Sequence, residues 1–315
     1  MNKREVIFHH QLYGQKISSD INLSIAAKIH AHNRPYTASE IEIKKSRVAF
    51  ASRVKWFHRL SSEEGDLQCR FGRRDDIYFI DFPRLACFAI AANGGKIHYQ
   101  AASGINSSDM AALLLTQALP LSLHLQGRVV LHASAVRFGK GSSAFLGPQG
   151  QGKSTLSAAF HARGFSLLSD DALPIFSRAG KIWAQPSLPE IRLYQATAKR
   201  LLGKDPLSKA QPALEKFRIE LGSCFSKKPM PLRNIYCLRT AGKVGIRPLN
   251  PSEAYPLLLA SSFRVDIDNQ SRLLQEWSEL ASLVERVRVF SLEYPRSLKQ
   301  IDTVVDAVLK EEKIL

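Results

Sequence analysis

The sequence predicts an α/β protein: a C-terminal core with a mixed sheet and flanking helices, preceded by a smaller β-rich N-terminal lobe. Three observations carry this prediction. "SSAFLGPQGQGKSTLSAAF" (142–160) reads as an apolar strand, a glycine-rich turn and a helix. From about 128 onward, apolar strands alternate with helical patterns, the signature of an α/β layer. Before about 105 the chain is mostly short strand-like runs separated by turn residues.

In order along the chain, "QKISSDINL" (15–23) holds a short strand and a turn, and "SEIEIKKSRVAF" (39–50) alternates in part. "DIYFIDFPRLACFAIAANGGKIHYQAA" (76–102) gives strands separated by a proline bend and a turn at Asn93-Gly94-Gly95. Ser107, Ser108 and Asp109 supply a helix N-cap. "MAALLLTQALPLSLHL" (110–125) reads as a buried helix that exits at Pro120. The lobe boundary is expected within 105–127, giving lobes 1–125 and 126–315, the first a candidate substrate- or partner-binding lobe.

In the second lobe "RVVLHASAVRF" (128–138) and "SSAFLG" (142–147) are strands. A helix follows over about 153–163, closed by Gly164. "FSLLSDDALPIF" (165–176) is a strand with paired aspartates, and "LRNIYCLR" (232–239) and "RVRVFSLEYP" (286–295) are later strands. Helices are expected over 252–262 and 272–284. A last helix starts near Ser297, with Leu298, Ile301, Val304, Val305, Val308 and Leu309 on one face. Residues 200–230 are rich in Lys and Pro and read as a substrate loop or a long connection.

Composition narrows the function classes. The chain has 315 residues, 45% hydrophobic and 23% charged, a profile of globular proteins. It has no apolar run of membrane-spanning length, and "MNKREVIFHH" lacks the apolar core of a secretion signal. Cys69, Cys87, Cys224 and Cys237 form no metal-binding spacing and read as free thiols of a cytoplasmic protein. Lys plus Arg is 44 against 28 Asp plus Glu, a formal net charge of +16, which favours an anionic ligand. The basic residues are dispersed, as in "KKSR" (44–47) and "FGRR" (71–74), so the sequence is not read as a nucleic-acid or membrane binder.

Gly147 to Ser154 fits G-x-x-x-x-G-K-[ST] without departure. Its glycines turn backbone N–H groups toward phosphate oxygens, and the helix that follows adds its positive end. The nucleotide-binding set is Gly147, Gln149, Gly150, Gln151, Gly152, Lys153, Ser154 and Thr155, with Lys153 on the β- and γ-phosphates of ATP and Ser154 on Mg²⁺. The strand after the helix is expected to return beside the loop in a parallel sheet, bringing Asp170 and Asp171 to the phosphates. Two adjacent carboxylates allow one to hold metal and the other to accept a hydroxyl proton. His132, on the preceding strand, reads as a core histidine or as a functional one.

"LHASAV" (131–136), "GPQGQGKST" (147–155), "GFSLLSDDA" (164–172) and "PEIRLY" (189–194), in that order, resemble the HPr serine kinase/phosphorylase catalytic domain. They also resemble the wider HPr-kinase-like group with a phosphoenolpyruvate-carboxykinase-type P-loop fold. The resemblance covers about 128–195 and weakens toward 300. It implies Asp170 as general base and Asp171 as metal ligand, with the reverse order as alternative. It also implies His132 near the phosphates, Glu190 at the metal and Arg192 on phosphate. Leu193 and Tyr194 stand where the HPr kinases have glycine after Glu-x-Arg, and Thr155 where they have Glu. "LYGQKISSDINL" (12–23) resembles instead the opening of the homologues from lasso-peptide biosynthesis. That branch implies an ATP- and Mg²⁺-dependent kinase acting on the C-terminal serine of a precursor peptide. Arg233, Arg264, Lys227 and Lys228 are then candidates for contact with the peptide. The competing readings are HPr serine kinase with HPr as acceptor, a small-molecule phosphotransferase, and a low-turnover nucleotide-binding regulatory module. A homo-oligomer is compatible with each of them.

Overall fold

The structure is a computed structural model that describes residues 6–23, 40–46, 53–62, 64–203, 208–211, 216–263 and 269–314. The chain forms two compact units, 1–128 with 264–269 and 129–263 with 270–315.

The first unit is one eight-stranded sheet. Its strands are β1 (Phe8–Leu12), β2 (Gln15–Ser19), β3 (Glu40–Lys45), β4 (Lys55–Ser61), β5 (Leu67–Arg74), β6 (Ile77–Phe82), β7 (Ala86–Ala91) and β8 (Lys96–Ala101). They are ordered β1-β2-β3-β8-β7-β6-β5-β4, with β3 parallel to both its neighbours. Alternation dictates this: Ile41 and Ile43 of β3 are fully buried while Glu40, Glu42 and Lys44 are not. The basic groups are absorbed locally. Arg70 stacks on Trp56 at 4.0 Å and pairs with Asp81, and Arg73 and Arg74 lie over Tyr78 and Phe79. The β7–β8 turn needs glycine, because Gly94 has φ +68 and an added Cβ would lie 2.2 Å from the Ser122 carbonyl oxygen.

The helix after β8 departs from the sequence reading at both ends. Its N-cap is Asn106, whose side chain accepts from the Asp109 backbone N–H, rather than a following serine. Pro120 does not end it: α1 (Ser107–Leu113) runs through a π-helical turn, Leu114–Ala118, into α2 (Leu119–Leu125). Pro120 sits in the first turn of α2, where the wider turn before it accommodates the missing N–H.

The second unit is a mixed sheet. Its strands are β9 (Val129–Phe138), β10 (Gly141–Leu146), β11 (Leu167–Ser169), β12 (Ala172–Arg178), β13 (Lys181–Ala184), β17 (Met230–Thr240), β18 (Gly245–Pro248) and β19 (Arg288–Tyr294). A separate three-stranded ribbon is ordered β14 (Glu190–Tyr194), β16 (Lys216–Glu220), β15 (Ser208–Gln211). The 200–230 region is thus partly structured, not a bare loop. The helices are α3 (Lys153–Ala162), α4 (Gln195–Leu202), α5 (Pro251–Ala260), α6 (Gln270–Arg286) and α7 (Ile301–Glu311).

Side chains alternate across β9 and divide the unit into layers. Leu131, Ala133 and Ala135 join Leu146, Leu173 and Ile235 in a core shared with Leu258 of α5 and Leu280 and Leu283 of α6. On the opposite face Phe138 meets Phe160 of α3, which also stacks on Phe145 at 5.5 Å. Phe160 is fully buried, so its replacement by alanine would cost about 3–5 kcal/mol. His132 and Ser134 share this second face with α3. The strand after α3 does not return beside β10 in parallel: β10 and β11 both pair antiparallel with β9, which lies between them.

All four cysteines are free, and burial pushes Cys69, Cys87 and Cys237 up to about 12, leaving them protonated and unreactive. No described helix is long and apolar enough to cross a membrane.

Candidate active site

The glycine-rich turn that is the candidate phosphate loop joins β10 to α3. Gly150 and Gly152 have φ of +81 and +91, backbone that side-chained residues rarely adopt, and a Cβ on Gly152 would meet the Tyr294 hydroxyl at 2.9 Å. The loop is braced from the ends of β17 and β19. Tyr294 donates its hydroxyl to the Gln151 carbonyl at 2.9 Å, and Thr240 donates to the Gln151 side chain at 3.1 Å. Arg296 reaches the Gly150 carbonyl at 2.6 Å. Lys153 opens α3, is 7% exposed, and donates to the carbonyls of Gly147 at 2.7 Å and Pro148 at 3.2 Å. Burial lowers the affinity of its amine for a proton, Asp171 and Asp170 oppose that, and Lys216 adds to it. Ser154 and Thr155 are half-buried in the first turn of α3, and Gln149 is exposed.

The aspartates occupy a break between β11 and β12, not the end of one continuous strand. Ser169 closes the break by donating to the Ala172 carbonyl at 2.6 Å, and Asp171 takes φ +90. Such backbone in a non-glycine residue costs about 1–3 kcal/mol and is concentrated at functional sites. Opposite the break, His132 and Ser134 project from one face of β9. Ser134 donates to Asp170 Oδ1 at 2.6 Å, and the Arg192 backbone N–H reaches Asp170 Oδ2 at 3.1 Å. Asp170 is buried, with both oxygens taken by protein donors.

Asp171 is the more open of the two, its side chain 26% exposed. His132 Nδ1 lies 3.0 Å from its Oδ1 and the Arg192 guanidinium 3.0 Å from its Oδ2. Burial alone would raise its pKa. The His132 hydrogen bond, positive charge on His132 when it is protonated, and the charges of Arg192 and Lys153 outweigh that and hold the carboxyl well below the usual range. Glu190, buried at 4% exposure, lies between Arg192 at 3.4 Å and Arg218 at 3.5 Å. Burial raises its pKa against the pull of both guanidinium groups.

His132, Asp170, Asp171, Glu190 and Arg192 are thus joined by direct contacts, where the resemblance implies a common site, and Lys153 lies near enough to feel both aspartates. Arg233 does not join them. It lies against Gly141 at the start of β10, whereas the phosphate loop follows the end of that strand. Lys227 and Lys228 precede β17, which runs parallel to β10, and so belong to that same far end. Arg264 lies outside the described residues. Sequence reasoning missed Ser134, Arg218, Lys216, Tyr294 and Arg296. Only Ser134 left a signal, its two-residue spacing from His132 on one strand.

Among the described residues no three His, Cys, Asp or Glu side chains are grouped to hold a metal ion by themselves. A magnesium ion that arrives on a nucleotide needs only phosphate oxygens, water and one or two protein oxygens. The Ser154 hydroxyl at the start of α3 fits that need, whereas the oxygens of Asp171, expected as a ligand, already face His132 and Arg192. Glu190 is already enclosed by two guanidinium groups.

No protein-family profile matches the chain. No curated protein matches it either. Among solved structures, the HPr(Ser) kinase/phosphatase from Coxiella burnetii is similar over 58% of this chain and 96% of that one, with 11% identity and a TM-score of 0.34. A likeness of that size does not place this chain in a family.

Proposed function

We propose that the protein is an ATP- and Mg²⁺-dependent kinase with a phosphoenolpyruvate-carboxykinase-type P-loop core, transferring the terminal phosphoryl group to a serine hydroxyl. The observation that carries this reading is the convergence of Lys153 at a helix start with the Asp171–His132 pair and Arg192. A nucleotide switch needs the first of these and has no use for the second.

In this reading Lys153 exchanges its contacts with the Gly147 and Pro148 carbonyls for phosphate oxygens. Mg²⁺, when bound with the nucleotide, would offset charge on its phosphates, and the Ser154 hydroxyl would hold it. The acceptor oxygen forms a bond to the γ-phosphorus while the bond to the β,γ-bridging oxygen breaks, and ADP leaves with that electron pair. The acceptor proton passes to His132. Its Nδ1 faces Asp171, leaving Nε2 as the nitrogen that accepts, and the ionised Asp171 stabilises the imidazolium. His132 is 36% exposed on its side chain and can return the proton to water. This moves the base from Asp170, whose oxygens are both occupied, to the Asp171–His132 pair. Asp170 becomes the group that fixes the Arg192 backbone.

For the acceptor we propose a precursor peptide ending in serine, on the resemblance of residues 12–23 and a net charge of +16 that favours an anionic partner. The test is incubation of the protein with ATP and Mg²⁺ and either a lasso-type precursor peptide or HPr, each weighed by mass spectrometry. One added phosphoryl group on the peptide supports the proposal. Addition to HPr alone moves the protein to the sugar-regulation branch. Nucleotide binding without addition to either removes the peptide-kinase reading and favours the non-catalytic module.

A further inference from the structure

The ribbon β14-β16-β15 brings a second lysine to the site. Glu190, Arg192 and Tyr194 alternate on β14 with the buried Ile191 and Leu193, so the three share a face. That face meets Asp171 through Arg192. Antiparallel register sets Lys216 directly opposite Tyr194 and Arg218 opposite Arg192. Directly opposed residues lie on one side of a sheet, so Lys216 and Arg218 join the same face. The α3 helix that starts at Lys153 packs on β14 and on α4, which begins at the residue after Tyr194.

The cations on this face differ in their partners. Arg192 serves Asp171 and Glu190, and Arg218 serves Glu190. Lys216 rests over the Tyr194 ring, its Nζ 5.5 Å from the centroid, and among the described residues no carboxylate pairs with it. Tyr194 is 52% exposed, a large aromatic that the core does not use. Lys216 is close enough to Lys153 for the two charges to act on each other. Two ammonium groups of like charge are costly neighbours unless an anion lies between them.

We propose that Lys216, held by Tyr194, is a second phosphate-binding cation that contacts the terminal phosphate of the nucleotide from the side opposite the phosphate loop. Lys153 approaches the phosphates from the start of α3. Lys216 approaches from the ribbon beside Asp171, where the phosphoryl group passes to the acceptor. This inference rests on the kinase reading and adds a residue to it.

The experiment is calorimetric titration of ATP, ADP and AMP, with Mg²⁺, into the full chain and its K216M, K216R and Y194A variants. Circular dichroism confirms that each is folded. A charge-assisted contact to a phosphate is worth about tenfold in affinity. K216M is therefore expected to bind ATP about tenfold more weakly while ADP and AMP change less than about twofold. K216R should retain most of the ATP affinity, and Y194A should lose a smaller part of it. Unchanged ATP binding by K216M, or an equal loss for all three nucleotides, would overturn the assignment and leave the phosphate loop standing. A wild-type protein that binds none of the nucleotides would remove the kinase reading and this inference together.

Discussion

Asp171 and Glu312 are both carboxylates of the C-terminal unit surrounded by donors, and their partners differ in kind. Glu312 caps the end of α7. One of its oxygens accepts from Ser143, from Asn234 at 2.8 Å and from Tyr236 at 2.9 Å. All three donors are neutral, and the geometry ties the last helix to β10 and β17. Asp171 instead faces His132 and Arg192, feels Lys153, and sits on left-handed backbone in a strand break. Neutral donors around a regular helix end make an anchor. Asp171, on strained, partly open backbone with Arg192 beside it and Lys153 near, has the surroundings that the proposed reaction requires.

Substitutions separate the two. K153M should lower phosphoryl transfer by about 10²- to 10³-fold, because it removes the buried cation on the charge that develops at phosphate. Steady-state transfer at saturating acceptor reads this. D171N should lower transfer by about 10²- to 10⁴-fold with nucleotide affinity little changed, since it leaves His132 without its orienting charge. H132A should fall in the same range, and the double variant should lose little more than either single one, because the pair acts as a unit.

E312A should do the opposite. Three buried donors lose their acceptor, so urea denaturation should show a loss of about 1–3 kcal/mol, while transfer per folded molecule stays near wild type. The smallest effect is on acid stability. Asp171 has its folded pKa held below the ordinary 3.8, so its contribution is present above that value and fades as pH falls through and below it. Asp171→Asn should therefore flatten the decline in stability below about pH 4, measured as the urea midpoint against pH.

Much of this contrast was legible in the sequence, for identifiable reasons. The strand–turn–helix around Gly147–Ser154 is local, built from its own backbone and the start of the next helix, so spacing alone placed it. Helices α5, α6 and α7 carried their apolar period and appeared within a few residues of the expected bounds. The adjacent aspartates are legible in the sequence, but their different surroundings are not, because those depend on Ser134 and the Arg192 backbone arriving from β9 and β14. The parallel return of the strand after α3 failed for the same reason. Pairing with β9 is a long-range choice that no local pattern specifies. The Lys216–Tyr194 contact follows from a register set 22 residues apart in sequence and left no local trace. Arg233 illustrates the converse error. Its charge makes it a candidate for contact with an acidic peptide, and it lies against Gly141 at the start of β10, away from the glycine-rich loop.

The central claim is that the Asp171–His132 pair performs phosphoryl transfer rather than holding the fold. The most direct measurement is single-turnover transfer from ATP to the serine-ended peptide by wild type and D171N at equal nucleotide occupancy. The account predicts a rate lower by about a hundredfold or more in the variant, with nucleotide affinity unchanged within about threefold. Transfer at the wild-type rate, or loss of nucleotide binding and transfer together, would contradict it.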